Sequence, residues 1–432
     1  MVKSVIIRNG RVVDPSGGID GIYDISIADG RITSLTKSGK SEGEESGPGV
    51  DIIEATGMVV VPGLIDIHVH LREPGYEYKE TIASGAMAAA AGGFTTIACM
   101  ANTDPVNDNG SVTRYILAKA DTANLINLFP IGAATKGLQG EALAEIGELS
   151  DAGCIALSDD GMPVADGSLM RKIFEYARTF NLPVITHCEE PGIVGGGVMN
   201  EGVTSTQMGL RGIPNAAEDA MVSRDITLAE LTGGRLHIAH ISTRGAVEMV
   251  KRAKGRGVSV TAEVTPHHLT LTDDAVKGYD TNAKMNPPLR GEQDREAVIQ
   301  GLSDGTIDCV ATDHAPHSTI EKDIEFDRAA NGVAGLETAL PLVLSLVEKG
   351  LLTLDQAIER MTAGPARVLG LDRGTLQVGA DADITIIDTE REWVVEADRF
   401  HSKGRNTPFE GWRLKGRVMK TIVGGRVVYS EK

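Results

Sequence analysis

The chain has 432 residues, of which 41% are hydrophobic and 24% are charged, and these proportions are ordinary for a globular protein with a sizeable core. Its formal net charge of −18 argues against a nucleic-acid surface or an anionic membrane as its partner. Because no run of about 18 apolar residues occurs and the amino terminus turns polar too early for a signal peptide, we expect a cytoplasmic protein with no membrane partner.

The first 58 residues alternate short β-branched runs with turn signals. The runs at residues 5–7, 11–13, 24–27 and 31–33 predict strands. Asn9-Gly10 and Asp29-Gly30 between them are typical of hairpin turns. The Gly/Ser/Glu-rich residues 40–49 predict a loop.

From Val59 the chain alternates apolar runs with segments of helical spacing. Eight runs predict buried strands, at residues 59–64, 94–99, 125–131, 154–157, 182–185, 236–241, 258–264 and 307–311. Eight strands with intervening helices predict an α/β fold, a closed TIM-like (β/α)8 barrel. An open doubly wound sheet is the alternative. The first strand is not followed by the Gly-x-Gly-x-x-Gly turn typical of many such sheets, which favours the barrel.

After Gly370 the short strands and turns of the amino-terminal segment return. Runs at residues 384–387, 393–395, 417–422 and 426–429 predict strands, and Gly424-Gly425 predicts a hairpin turn. We therefore predict two domains. Residues 59–369 form the barrel, and residues 1–58 and 370–432 pair into a small flanking β-sandwich.

The four cysteines are spread far apart in apolar runs, at Cys99, Cys154, Cys188 and Cys309. No Cys-x-x-Cys pair occurs among them. This pattern is typical of reduced core thiols and not of a disulfide framework or a zinc–thiolate site, which favours the cytoplasmic location.

The run Asp66-Ile67-His68-Val69-His70 stands at the end of the first predicted barrel strand. Side chains two apart on a strand face the same way, so His68 and His70 project together about 6.6 Å apart. A pair of imidazoles in this arrangement suits a metal such as zinc. Packing or surface roles are equally compatible with these two residues alone.

Barrel enzymes place their chemistry at the carboxyl ends of the strands. Four other predicted strands also end in His or Asp, namely Asp159-Asp160, His187, His240 and Asp313. Such a set can hold two divalent ions, which lower the pKa of bound water to about 7. A nearby carboxylate can then take the proton of this water and pass it to the leaving group. Metal-assisted hydrolysis is the reaction class that fits.

The block His68-Val69-His70-Leu71-Arg72-Glu73-Pro74-Gly75 resembles the first-strand signature of dihydroorotases, of the class I bacterial type within the cyclic amidohydrolase superfamily. The other matching blocks are Gly93-Phe94-Thr95-Thr96, Met100-Ala101-Asn102-Thr103, Thr186-His187-Cys188-Glu189-Glu190, Lys284-Met285-Asn286-Pro287-Pro288-Leu289-Arg290, Ala311-Thr312-Asp313-His314-Ala315-Pro316-His317 and Asn406-Thr407-Pro408-Phe409. The resemblance covers essentially the whole chain.

The resemblance implies a Zn²⁺ cofactor, as one or two ions, with another divalent metal as the alternative. His68, His70 and Asp313 would bind the first ion, and His187 and His240 the second.

The group that bridges the two ions is expected at the end of the fourth strand. Many relatives use a carboxylated lysine there, but no lysine lies between Gly153 and Gly161. Asp159 and Asp160 occupy the position, and strand alternation alone does not choose between them. The resemblance to the Asp-Asp-Gly motif of the class I type implies that Asp160 is the bridge and that Asp159 is a turn or cap residue.

The resemblance also implies a substrate site. It consists of Arg72, Asn102 and His317 around the ring carboxylate, Asn286 at the ring amide, and in addition His70 and the backbone around Asn331 and Gly332. Arg72 suits a carboxylate because a guanidinium offers paired donors. The rival interpretations are an ion pair of Arg72 with Glu73 or Glu80, and turn-forming roles for both asparagines.

Two other histidines are expected to lie outside the ligand set. His237 stands three residues before His240, so alternation predicts that it faces a helix on the opposite side of the strand. His314 is expected to orient its neighbour Asp313.

The implied activity is reversible hydrolysis and cyclisation between L-dihydroorotate and N-carbamoyl-L-aspartate in de novo pyrimidine synthesis. Metal-bound hydroxide would attack the ring amide, with Asp313 as general base and then general acid. Two alternatives stay open: another cyclic amidohydrolase (hydantoinase, dihydropyrimidinase or allantoinase), or an inert homologue kept as a scaffold. We also expect a small-molecule substrate, a homo-oligomer, and association with aspartate carbamoyltransferase as in some dihydroorotases.

Overall fold

The computed structural model describes residues 4–39 and 50–431, and the predicted loop at residues 40–49 lies outside this range. Its strands are β1 (Ser4–Asp14), β2 (Ile19–Ala28), β3 (Arg31–Lys37), β4 (Val50–Glu54), β5 (Val59–Pro62), β6 (Leu64–Val69), β7 (Phe94–Cys99), β8 (Asn127–Pro130), β9 (Gly132–Ala133), β10 (Leu157–Ser158), β11 (Pro183–Thr186), β12 (Met199–Asn200), β13 (Gly212–Ile213), β14 (Arg235–Ile238), β15 (Val260–Val264), β16 (Cys309–Val310), β17 (Ile384–Val394), β18 (Arg413–Val423) and β19 (Arg426–Ser430).

The α-helices of the same ranges are α1 (Ile82–Ala91), α2 (Gly110–Ala123), α3 (Ile146–Ala152), α4 (Gly167–Thr179), α5 (Pro191–Val194), α6 (Val203–Met208), α7 (Ala216–Thr232), α8 (Arg244–Gly255), α9 (Pro266–Thr270), α10 (Glu292–Asp304), α11 (Thr319–Lys322), α12 (Ala339–Glu348), α13 (Leu354–Met361) and α14 (Ala363–Leu369). Within the described ranges, none of them is both long enough and apolar enough to cross a membrane.

Both ends of the chain enter one eight-stranded sheet, in the order β19-β18-β17-β5-β1-β2-β3 with β4 beside β1. Its core is aliphatic and includes Ile7, Val12, Ile25, Val60 and Ile386. The alternation of buried and exposed residues in β2 and β3 is typical of strands with one face on a core.

The apolar run at residues 59–64 does not form one strand, so the prediction of a first barrel strand there is wrong. Residues Val59–Pro62 form β5, which pairs antiparallel with β17 in the end sheet. The barrel begins only at Leu64. Gly63 lies between the two strands, and its backbone passes so close to Thr95 that any side chain at this position would collide with it. The end sheet thus reaches Pro62, past the predicted boundary, and the exact division into two domains stays a prediction.

The barrel is built from parallel strands in two runs, β6-β7-β8 and β9-β10-β11-β14-β15-β16. β8 and β9 are two parts of the third strand, on either side of Ile131. A parallel bridge between Val69 and His314 joins the eighth strand to the first. This closure confirms the (β/α)8 barrel and excludes the open sheet.

Local sequence features determine where the helices around the barrel begin and which face they bury. Thr81 caps α1, accepting from the backbone N–H of Ser84, while the Ser84 hydroxyl accepts from the backbone of Thr81. This capping box starts the helix at Ile82. α4 presents an apolar stripe to the barrel, made of Leu169, Met170, Ile173, Phe174 and Ala177.

Candidate functional site

Six side chains from five barrel strands meet at the carboxyl end of the barrel. All are buried, with exposures of 0% for His68, 4% for His70, 6% for Asp160, 5% for His187, 3% for His240 and 8% for Asp313. They are the residues that the sequence predicts as metal ligands. The fold therefore brings the whole predicted set together.

Asp160 lies between the histidines. Its Oδ1 is 3.4 Å from Nε2 of His68 and 3.6 Å from both Nδ1 of His187 and Nε2 of His240. Its Oδ2 is 3.5 Å from Nε2 of His70. One carboxylate thus faces four imidazoles, as a group shared between two ions must.

Asp159 points away from this cluster. Its two oxygens accept hydrogen bonds from the backbone N–H groups of Val164 and His187, both at 2.9 Å. These contacts fix the loop after the fourth strand and the end of the fifth strand. The geometry therefore distinguishes the two aspartates that strand alternation leaves equivalent.

Asp313 closes the cluster on the side of the eighth strand. Its Oδ1 lies 3.0 Å from Nε2 of His70 and 3.5 Å from Nε2 of His68. The backbone of Asp313 has φ 46°, in the left-handed region that side chains other than glycine rarely adopt. Strained backbone of this kind concentrates at functional sites.

Neighbouring side chains of the cluster favour the charged forms of Asp160, His187 and Asp313. Burial alone would raise the pKa of Asp160, but the charge of His68 and hydrogen bonds from His187 and His240 hold it well below the ordinary value. Burial opposes the charged form of His187, but hydrogen bonds to Asp160 and Glu189 raise its pKa to about 10. The charge of His68, with contacts from His70, lowers the pKa of Asp313 to about 2 against its burial.

The residues present fit divalent cations. Metal ligands must be deprotonated. Bound cations can supply the positive charge that a protonated imidazole would otherwise place beside the carboxylates. Nε2 of His68 is buried and has no hydrogen-bond partner in the described residues. Two overlapping sets bring their donor atoms within 4.8 Å of one another: His68, His70 and Asp313, and His68, Asp160 and His240.

A buried carboxylate beneath this cluster, Glu263, was missed by the sequence analysis. Its Oε1 lies 2.6 Å from Nδ1 of His68, and its Oε2 lies 3.1 Å from Nε2 of His237. His237 therefore points into the barrel, and the prediction that it faces a helix is wrong. The strand ends at Ile238 and His240 has φ 30°, so alternation does not extend to His240. A lone Glu in the apolar run 258–264 was the available signal.

Asn102 connects two of the predicted ligands. Its Oδ1 accepts from Nδ1 of His70 at 2.8 Å, and its Nδ2 donates to Oδ2 of Asp160 at 3.2 Å. The amide thus orients the cluster in addition to its predicted role near the substrate.

Asn286 lies on the other side of the mouth. Its Nδ2 donates to Oε2 of Glu189 at 2.9 Å and lies 3.3 Å from Nε2 of His187. Its Oδ1 is buried without a hydrogen-bond partner in the described part of the chain. An unpaired buried carbonyl is available to a donor on a ligand.

Arg72 and His317 lie together at the rim. Nη2 of Arg72 is 3.4 Å from Nε2 of His317, which is 2.9 Å from the backbone oxygen of Asn331. Burial, with the charge of Arg72, lowers the pKa of His317 to about 3, so its ring is neutral. The Arg72 guanidinium also donates to the backbone oxygen of Pro316 at 3.3 Å.

The rival ion pairs of Arg72 do not form in the described residues. Glu73 pairs with Lys119 at 3.0 Å. Glu80 contacts His314 at 3.3 Å. The ring of His314 is thus turned to Glu80, with its other nitrogen accepting from the backbone of Gly335, so the expectation that it orients Asp313 is wrong.

Two buried side chains hold the segment that carries Asn331 and Gly332. Nζ of Lys322 donates to the backbone oxygens of Ala330 at 2.8 Å and Gly332 at 3.2 Å. Nδ2 of Asn406 donates to Gly332 at 3.0 Å, and its Oδ1 accepts from the backbone of His317 at 3.0 Å. The rim of the mouth is therefore fixed from below.

Comparisons with known proteins show which family the chain resembles. A family model described as Dihydro-orotase-like matches residues 57–246, and one described as Amidohydrolase family matches residues 297–429. The chain is 55% identical to the dihydroorotase of Geobacter metallireducens and 57% identical to that of Pelobacter propionicus, each over 426 residues and 99% of both proteins. The fold is similar to that of the L-hydantoinase (dihydropyrimidinase) from Arthrobacter aurescens, with a TM-score of 0.87 and 28% identity over 100% of this chain and 96% of that one.

Proposed function

The chain belongs to the dihydroorotase family, and we propose that it interconverts L-dihydroorotate and N-carbamoyl-L-aspartate at the mouth of its barrel, in pyrimidine synthesis. The observation that carries this proposal is the placement of Asp160 within 3.6 Å of four histidine nitrogens beside Asp313. This is the donor set of a two-ion hydrolase.

The proposed metal ligands are divided between two positions. His68, His70 and Asp313 would hold one ion, His187 and His240 the other, and Asp160 would contact both. When bound, the ions supply a water of lowered pKa and polarise the scissile carbonyl. Imidazole and carboxylate donors accept zinc and other divalent metals, and we propose zinc.

Asp313 is the proposed proton carrier. Its pKa of about 2 leaves it ionised at neutral pH, where it can accept a proton from the attacking water. The same carboxyl then returns that proton to the ring nitrogen as the amide bond breaks. In the direction of ring closure the two transfers occur in reverse order.

Arg72, His317 and Asn286 are the proposed substrate contacts with defined chemistry. The Arg72 guanidinium can hold the ring carboxylate through paired charge-assisted hydrogen bonds. His317 is neutral and lies at its side. The unpaired Oδ1 of Asn286 can accept a ring N–H. His70, Asn102 and the backbone of Asn331 and Gly332 complete the proposed pocket.

The proposal includes a cytoplasmic location and assembly into a homo-oligomer, with aspartate carbamoyltransferase as a candidate partner. Val203 and Ile320, in segments that follow the fifth and eighth barrel strands, are 74% and 83% exposed. These two exposed apolar side chains are candidates for such contacts. Light scattering of the chain alone and with the transferase tests both assemblies.

Metal removal and replacement tests the activity. We expect the purified chain to hold up to two ions, to lose turnover of dihydroorotate on chelation, and to regain it with Zn²⁺. A variant of a histidine outside the barrel, His401→Asn, is the matched control and should retain both ions. Full turnover by the metal-free chain would contradict the proposal.

A further inference from the structure

Glu263 is a buried carboxylate at the end of β15 that none of the proposed chemical steps uses. It is 0% exposed, and both of its oxygens are engaged. Oε1 lies 2.6 Å from Nδ1 of His68 and also accepts from the backbone N–H of His240 at 3.3 Å. It therefore contacts a proposed ligand of each ion.

The contact between Glu263 and His68 determines which ring nitrogen of His68 carries no proton. To bind a metal, His68 must release one of its two ring protons. The short contact with the Glu263 carboxylate keeps the remaining proton on Nδ1. Nε2 then carries the lone pair. Within the described ranges this buried atom has no hydrogen-bond partner, and it faces Asp160 and Asp313 at 3.4 and 3.5 Å.

The other oxygen of Glu263 is used in the same way by a histidine that is not a proposed ligand. Oε2 accepts from Nε2 of His237 at 3.1 Å, while Nδ1 of His237 lies 2.8 Å from the Thr261 hydroxyl, which can donate to it. One carboxylate thus accepts hydrogen bonds from two imidazoles, one on each oxygen. A carboxylate provides two such acceptors, whereas an amide provides one.

We infer that Glu263 is a positioning residue, which holds His68 in the tautomer whose Nε2 can bind metal while it satisfies His237 with its second oxygen. This inference rests on the proposed role of His68 as a ligand. It goes further because it names the group that prepares His68 and explains why a second buried histidine lies beneath the metal cluster.

A different arrangement of the same residues would be a third metal site. Donor atoms of His237, Glu263 and Cys309 lie within 4.8 Å of one another. The 3.1 Å contact between His237 and Glu263 is a hydrogen bond, and the remaining oxygen of Glu263 is occupied by His68. A third equivalent of metal bound by the wild-type chain and lost in Cys309→Ala would overturn the inference.

The substitution Glu263→Gln tests the inference directly. The amide keeps the shape of the side chain but can accept from only one of the two imidazoles. His68 then loses its fixed tautomer in part of the molecules. We expect the metal-depleted chain, titrated with Co²⁺ against a chelator, to bind the first ion roughly 10- to 100-fold more weakly than wild type. The visible absorption of bound Co²⁺ reports the change without any turnover.

Removal of the competing histidine provides a rescue. In Glu263→Gln with His237→Leu, the single acceptor oxygen is left to His68, so we expect Co²⁺ affinity to return to within about threefold of the wild-type value. His237→Leu alone should bind Co²⁺ as wild type does. A purely structural role for Glu263 predicts the opposite, because the double variant would be more damaged than either single one.

Glu80→Gln is the matched control, since Glu80 is also 0% exposed and contacts an imidazole, that of His314, outside the ligand set. It should leave Co²⁺ affinity unchanged. The variant His68→Asn distinguishes a failure of the proposed ligand set from a failure of the inference about Glu263. If it retains the first ion, the proposed ligand set fails; if it loses the ion while Glu263→Gln binds normally, only the inference fails.

Discussion

The side-chain amide of Asn102 donates a 3.2 Å hydrogen bond to Oδ2 of Asp160. The same amide accepts from Nδ1 of His70 at 2.8 Å, so it fixes both a carboxylate and an imidazole of the cluster. The resemblance to dihydroorotases implies only a substrate contact for Asn102. The contacts give it a second task, which is to orient two proposed ligands.

Replacement of Asn102 should therefore affect metal binding as well as substrate binding. Asn102→Ala removes both hydrogen bonds, and we expect roughly tenfold weaker metal binding together with a raised KM. Asn102→Asp should be worse, because a carboxylate cannot donate to Asp160 and repels it. Chelator competition and steady-state kinetics measure the two effects. The control is Asn109→Ala, which removes the cap of α2 and should lower stability without changing metal binding. Unchanged metal affinity in Asn102→Asp would refute the orienting role.

Asp313→Asn should remove most of the turnover. The amide cannot accept the proton of the attacking water, so we expect kcat to fall by about 10²- to 10⁴-fold in both directions of the reaction. Metal should remain bound through His68, His70 and Asp160, which elemental analysis can verify. Asp274→Asn, at an exposed ion pair with Lys277, is the control and should turn over normally. A kcat for Asp313→Asn within tenfold of wild type would reject the assignment.

Lys322→Met should loosen the rim without disturbing the chemistry. It removes a buried donor from the backbone oxygens of Ala330 and Gly332, and only the Gly332 oxygen keeps a second one, from Asn406. Because Asp313 is untouched, we expect KM for dihydroorotate to rise about tenfold with little change in kcat. Tryptic cleavage after the exposed Arg328 should become faster. Lys277→Met is the surface control, and equal KM values for both variants would argue against a fixed rim.

Glu337 gives a prediction about pH. Its Oε1 accepts from the backbone N–H groups of His401 at 2.8 Å and Ser402 at 3.1 Å, and burial raises its pKa from 4.5 to about 7. The folded state therefore binds more protons than the unfolded state between pH 4.5 and 7. The stability from this group is fully present below pH 4.5 and is lost as the pH rises through 7.

Glu337→Gln keeps the accepting oxygen without a charge to desolvate. We expect its Tm to equal that of wild type at the acidic end and to exceed it above pH 7, with an advantage in unfolding free energy of at most about 3 kcal/mol. Thermal unfolding measured from pH 5 to pH 8 follows the difference. Glu248→Gln, at an exposed pair with Arg252, should show no such trend. A constant Tm difference for Glu337→Gln across this range would contradict the assignment.

Most of the fold could be predicted from the sequence because the barrel repeats one pattern eight times, an apolar run that is followed in most cases by a segment of helical spacing. The first strand was misplaced for a local reason. Residues 59–69 are apolar almost throughout, but β5 pairs with β17 in the end sheet and β6 pairs with β7 in the barrel. The choice of pairing partner is a tertiary property with no signature in the periodicity.

The site residues at strand ends could also be predicted from the sequence. The barrel gathers the carboxyl ends of its strands, so His68, His187 and Asp313 could be found by locating the strands. Glu263 and His237 lie deeper in the barrel, where the side-chain direction depends on where each strand stops. The turn at His240, with φ 30°, breaks the alternation from which the direction of His237 was predicted.

The most direct test of the account compares substrates in one assay, with Arg72 as the variable. Wild-type chain loaded with Zn²⁺ should hydrolyse dihydroorotate and show little turnover of dihydrouracil, which is the same ring without the carboxylate, or of allantoin. Arg72→Met should lower kcat/KM for dihydroorotate by about 100-fold, since two charge-assisted hydrogen bonds to the carboxylate are lost. Turnover of dihydrouracil equal to that of dihydroorotate, with no effect of Arg72→Met, would contradict the central claim.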